Sequence, residues 1–217
     1  MHDLDALEFA DNADPRCPCV LLLDTSKSMT GERIDALNQG LQAFQQDLQK
    51  DDLARRRVEV AIVTFGDGGV QVIQDFVTAD QFVAPHLTAD EMTPMGTAIN
   101  RALDMIQGRK TTYKRVGIMY YRPWVFLITD GEPTDEWQTA RIRIRAEEEA
   151  KGVAFFAVGV QGAKMSMLTQ LSVRPPVSLQ GLNFVEMFIW LSRSQQRVSA
   201  SRPGEQVALE PIGWGSV

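Results

Sequence analysis

Apolar and polar positions change period several times along this chain, and the changes divide it into short strands and longer helices. Cys19 to Leu23 is a continuous apolar run ending at Asp24, the pattern of a strand buried on both faces. After Gly31, apolar residues fall at Ile34, Leu37, Leu41, Phe44 and Leu48, stepping by three and four along one helix face. Arg57 to Phe65 alternates and then runs apolar, which predicts a second strand. The cluster Gly66-Asp67-Gly68-Gly69 predicts a turn, and Val70 to Val77 the antiparallel partner. It has no strand-to-helix context and no Lys-Ser/Thr ending, so it is no phosphate loop.

A polar loop through Pro85 and Thr93 leads into a helix beginning near Pro94, with Ile99, Leu103 and Ile106 on one side. Trp124 to Thr129 is another apolar run, closed by Asp130-Gly131. A helix over about 135–151, a strand from Val153 to Val160, a short helix near 164–171, a strand at Val177 to Leu179 and a helix carrying Phe184, Phe188 and Leu191 complete the series. Strands alternating with helices predict an α/β fold with a mostly parallel sheet covered on both faces and right-handed crossovers. From about Ser199 the periodicity stops and glycine and proline rise, which predicts a tail or strap over the domain. The organisation expected is an N-terminal extension at 1–13, one domain at 14–198 and the tail at 199–217.

Composition narrows the partners. Of 217 residues, 22 are basic and 28 acidic, a net charge of −6. A mildly acidic chain lacks the basic face that nucleic acid or an anionic membrane requires, so neither is expected. No stretch approaches the roughly 18 apolar residues of a membrane helix. The N-terminus shows no secretory signal. Cys17 and Cys19 are too close to staple distant segments and make at most half a zinc site. A reducing cytoplasm suits them best, with Cys19 packed at the start of its strand.

Chemistry collects where strands run into helices, the carboxyl edge at which open α/β sheets bind ligands. Asp24 ends the first strand and is followed at alternate positions by Ser26 and Ser28; Asp130 ends another strand; Thr93 lies in the loop before a helix. Hydroxyl and carboxylate oxygens without sulfur or imidazole suit Mg²⁺, with Mn²⁺ or Ca²⁺ as alternatives. So few protein ligands leave positions for water or for a carboxylate from a partner. Taken singly, Asp24 and Asp130 read equally well as helix caps. Thr97 reads as a helix-packing residue or one that supports the ligands from behind, Asp135 and Glu136 as acids at a helix start with tuning of the site as the alternative, and Trp137 and Trp190 as core. Arg141, Arg143 and Arg145 read as a solvated surface.

Asp24-Thr25-Ser26-Lys27-Ser28, Thr93-Pro94-Met95-Gly96-Thr97 and Thr129-Asp130-Gly131 together resemble, in order, the three loops of the metal-ion-dependent adhesion site of von Willebrand factor type A domains. The stretches at 120–137 and 190–194, the FFAVGV strand and the closing GWG are most similar to the TerY-like subfamily linked to tellurium resistance. The resemblance covers the chain from about Asp14. It implies a Rossmann-like three-layer fold with one antiparallel edge strand, and direct ion binding by Ser26, Ser28 and Thr93. Asp24 and Asp130 would bind directly or through water. It also implies a non-enzymatic, cytoplasmic interaction module whose partner presents Asp or Glu, such as a phosphatase- or kinase-like protein of the same system. Lys27 departs from the pattern, which commonly has glycine there: either the turn accepts a side chain or the loop is displaced. The competing reading is an enzyme that uses Asp24 as a phosphoryl acceptor or the ion as a Lewis acid. No histidine is positioned as a base for it.

Overall fold

The computed structural model describes residues 9–66, 68–89 and 92–216. Asp67 of the expected turn and the first eight residues of the expected extension lie outside them. The strands are β1 (Cys17–Asp24), β2 (Val58–Gly66), β3 (Gly69–Thr78), β4 (Trp124–Thr129), β5 (Ala154–Gly159), β6 (Val177–Leu179) and β7 (Gly215–Ser216). The helices are α1 (Glu32–Leu48), α2 (Ala54–Arg57), α3 (Met95–Val116), α4 (Gln138–Glu149), α5 (Met165–Leu171) and α6 (Phe184–Ala200). They surround one sheet of order β3-β2-β1-β4-β5-β6-β7.

The inner strands pair in parallel. β1 is central, with Leu21 opposite Ile62 of β2 and Phe126 of β4. The β2–β3 hairpin supplies the expected antiparallel edge, closed by the Gly66–Gly69 pair. A second antiparallel pair stands at the other edge, where Ser178 and Leu179 meet Ser216 and Gly215. This edge is made by the chain's last stretch. Trp214 is buried edge-on to Trp190, and the Trp190 indole N–H donates to the carbonyl of Glu210 at 2.9 Å.

Alternation along β1 builds two cores. Cys19, Leu21 and Leu23 pack with Leu37, Leu41 and Phe44 of α1 and with Phe184, Phe188 and Leu191 of α6. Val20 and Leu22 point to the other face and meet Ile99, Leu103 and Ile106 of α3, Ile144 of α4 and Leu168 of α5. A strand buried on both faces therefore needs no polar positions. Of the three arginines of α4, Arg143 is not simply solvated. Its guanidinium reaches Asn100 Oδ1 at 2.9 Å and Asp104 at 2.6 Å, bracing α4 to α3 across the groove between them.

Both cysteines are free and fully buried. Burial pushes the Cys19 thiol up to about 12, and raises Cys17 well above its ordinary value with help from Cys19 and Glu59. The native thiols thus stay protonated where the unfolded ones ionise, near pH 8.5. The native state binds more protons above that pH, so stability falls as pH rises towards about 12, by about 1.4 kcal/mol per pH unit per thiol. Urea unfolding between pH 8 and pH 10.5 should show this loss, with a shallower slope in Cys19→Ala. An unchanged slope in that variant would refute the assignment.

Candidate metal centre

The carboxyl ends of β1 and β4 lie side by side, which is why Asp24 and Asp130 meet although 106 positions separate them in sequence. After Asp24 the chain turns at once. Asp24 Oδ1 accepts the Ser26 backbone N–H at 2.8 Å, and Lys27–Met29 forms a single 3-10 turn. That turn carries Ser28 back over the strand ends. Its hydroxyl lies 3.0 Å from that of Ser26 and donates to Asp130 Oδ1 at 2.6 Å. Lys27 adopts no positive φ, the only non-glycine residue that does so among those described being Lys151. The 3-10 turn accepts a side chain where the family pattern has glycine.

Thr93 comes from the loop before α3. Its carbonyl accepts the backbone N–H groups of Met95 at 2.8 Å and Thr134 at 3.0 Å, tying the second loop to the third. Gly131 stands between donors of two loops: a β-carbon there would lie 3.3 Å from Thr93 Oγ1 and 3.6 Å from Asp24 Oδ2. Glycine thus leaves the space between these oxygens clear. All five residues singled out by spacing, Asp24, Ser26, Ser28, Thr93 and Asp130, meet around this edge. Ser28 is exposed and the other four are buried, so the cluster has a solvent-facing rim and a closed floor.

Three further side chains complete the surroundings, two of which, Thr129 and Arg33, have no role legible in the sequence. Thr129 donates its hydroxyl to Asp24 Oδ2 and accepts the Gly131 N–H at 3.1 Å. Arg33, in the first turn of α1, donates to the Ser28 carbonyl at 2.8 Å and to Asp130 Oδ2. No local signal marks it, since Glu32 and Asp35 already supply acids in the same turn. The third is Asp135, which does not start its own helix. Its carboxylate accepts Gly96 N–H at 2.8 Å, Thr97 N–H at 2.7 Å and the Thr97 hydroxyl at 2.7 Å, capping α3 from the third loop. Glu136 does serve as expected, accepting the Thr139 N–H at 2.9 Å at the start of α4.

Burial pushes the Asp24 carboxyl above its ordinary range. Hydrogen bonds from Ser26 and Thr129 draw it back down, and the charge of Asp130 raises it again. Two carboxylates facing each other in a buried, hydroxyl-lined floor fit a small hard cation, which would relieve their repulsion. Among the described residues no three His, Cys, Asp or Glu side chains converge, so this centre depends on hydroxyls as much as on carboxylates.

A parallel α/β sheet with helices on both faces and an oxygen-lined crevice at its carboxyl edge defines a doubly wound domain of the Rossmann-like class. The chain belongs to the von Willebrand factor type A domain family, whose model matches residues 19–186. Such domains are commonly protein-interaction modules. In fold it is similar to the pilus adhesin SpaC from Lactobacillus rhamnosus GG in its open conformation, at 14% identity and a TM-score of 0.66 over 86% of this chain and 30% of that one. It is also similar to the ArnB paralog VWA2 from Sulfolobus acidocaldarius, at 16% identity and 0.56 over 83% of this chain and 45% of that one. The SpRpn10 VWA domain matches at 15% identity and 0.54, over 79% of this chain and 95% of that one. At these identities the likeness is one of fold. The chain spans less than half the length of the first two. No curated protein matches it by sequence. Among the described residues no helix is long and apolar enough to cross a membrane.

Proposed function

We propose that the chain is a divalent-metal-dependent protein-interaction module. The convergence of the three loops carries the reading, with Ser28 bridging Ser26 and Asp130 at 3.0 and 2.6 Å over the buried carboxylate of Asp24. Ser26, Ser28 and Thr93, with Asp24 and Asp130, would hold Mg²⁺, with Mn²⁺ or Ca²⁺ as alternatives. When bound, the ion supplies an electrophilic centre with positions open to an acidic side chain. The chain's own residues do the rest. Thr129 and the Ser26 N–H fix the Asp24 carboxylate, Asp135 locks the second loop to the third, and exposed Ser28 leaves the rim accessible. The partner class that fits is a protein presenting Asp or Glu. By the TerY-like resemblance it would be a phosphatase- or kinase-like protein of a cytoplasmic tellurium- or stress-resistance system.

Mg²⁺ at a hundredfold excess over its Kd should stabilise the protein by about 2.7 kcal/mol. For a domain of this size that is a rise in Tm of roughly 5–10 °C. Asp24→Ala should show no rise. Equal shifts in the two proteins would sink the assignment, and a metal-dependent pull-down with the same pair would then identify no specific partner.

A further inference from the structure

Arg33 stands out among the charged groups around the crevice. It is the second residue of α1, where the helix end is partially positive and repels a cation. It is held there nonetheless. Its Nη1 donates both to the Ser28 carbonyl and to Asp130 Oδ2, and its Nη2 passes 3.9 Å from where Gly162 would carry a β-carbon. The guanidinium therefore joins the first loop to the third and lies beside the turn after β5. Asp130 has its other oxygen occupied as well, by the Ser28 hydroxyl at 2.6 Å. Its side chain is 1% exposed against 30% for Arg33, so the acid is fixed in the floor while the base reaches in from the rim.

This geometry gives Asp130 an internal cation, beside the second buried carboxylate, Asp24, and the hydroxyls of the crevice. An arginine cannot lose its proton at ordinary pH, so it leaves only by rotating away on its long side chain. The rim position gives it room to do so. We infer that Arg33 is a built-in counter-ion that holds Asp130 in the metal-free protein and competes with a divalent ion for it, thereby setting the metal affinity of the centre. The inference rests on the metal reading of this site.

The sign of one measurement separates this role from a structural one. A brace between loops that ordered the ligands would weaken metal binding when removed. A competitor strengthens it when removed, both by freeing Asp130 and by withdrawing a like charge from the ion. The full chain, as wild type, Arg33→Gln, Arg33→Ala and Arg33→Lys, should be titrated with Mn²⁺ alone, reading free Mn²⁺ by electron paramagnetic resonance. Arg33→Gln and Arg33→Ala should bind Mn²⁺ about three- to tenfold more tightly than wild type, with Arg33→Lys close to wild type. Without metal, Arg33→Gln should melt below wild type, and saturating Mn²⁺ should close the gap. Wild-type binding with equal or weaker binding by both neutral variants overturns the competition and leaves the metal site standing. No binding by any of the four proteins overturns both readings, and a lower metal-free melting point in Arg33→Gln would then mark an ordinary ion pair.

Discussion

Replacing Glu59 with alanine is expected to destabilise the domain by about 3–5 kcal/mol, the usual consequence of removing one partner from a buried ion pair. Glu59 is fully buried in β2, on the face covered by α3. Arg109 of α3 clamps it with two donors, Nε to Oε2 at 2.8 Å and Nη2 to Oε1 at 2.9 Å. Arg16 Nε lies 3.0 Å from Oε1, and the Tyr113 hydroxyl donates to Oε2. The Phe9 ring stacks against both guanidinium groups, at 5.2 and 5.0 Å from its centroid. Alanine would leave the equally buried Arg16 without its counter-charge, and water cannot reach it to compensate. Urea unfolding should therefore show a midpoint shifted far down, and thermal scans a Tm lower by roughly 6–20 °C. Glu59→Gln retains an acceptor without the charge and should fall between. A loss under 1 kcal/mol for the alanine variant would show that the two arginines find other partners.

Gly96→Ala should be the most disruptive small change at the candidate site. A β-carbon there would lie 2.1 Å from the carbonyl oxygen of Glu136, 2.8 Å from its carbon and 2.9 Å from the Trp137 Cα. All three obstacles are backbone, so no rotamer change relieves the clash, and the first turn of α3 must move away from the third loop. Overpacking of this kind costs about 1–3 kcal/mol. Loosening the Asp135 cap on the Gly96 and Thr97 N–H groups adds about 1 kcal/mol. Thr93, three residues upstream, shifts with the turn, so the Mg²⁺-dependent rise in Tm should disappear as well. The direction is diagnostic, because alanine in an unobstructed helix is about 1 kcal/mol better than glycine. A Gly96→Ala protein that melts higher than wild type would refute the close approach.

Residues of the candidate site could be picked out by spacing where a local rule holds: a strand ends, an oxygen-bearing side chain follows, a helix begins. Asp24, Ser26, Ser28 and Asp130 obey it, whereas Thr93 lies 15 positions past β3 and is marked only by the helix that begins after it. Residues whose role depends on a distant partner do not announce themselves. Glu59 lies within a stretch, Arg57 to Val60, that alternates as a half-solvated strand would, yet Arg16 and Arg109 neutralise it from other parts of the chain. Asp135 sits where an acid normally starts the following helix, but the chain path brings it to the earlier one instead. Periodicity also needs length. The four residues of α2 and the two of β7 complete barely one repeat of the helical or strand period, too few for a pattern to show.

Glu59 and the candidate site occupy opposite rims of the same sheet. Along β2, six residues separate Glu59 from Phe65, whose carbonyl accepts the Thr25 N–H beside Asp24. At about 3.3 Å per residue this is roughly 20 Å. Sites so far apart contribute to free energy almost independently. The domain can therefore lose or gain stability at its ion-pair rim while the loops at the carboxyl edge change in sequence. A change at one rim thus leaves the packing at the other intact.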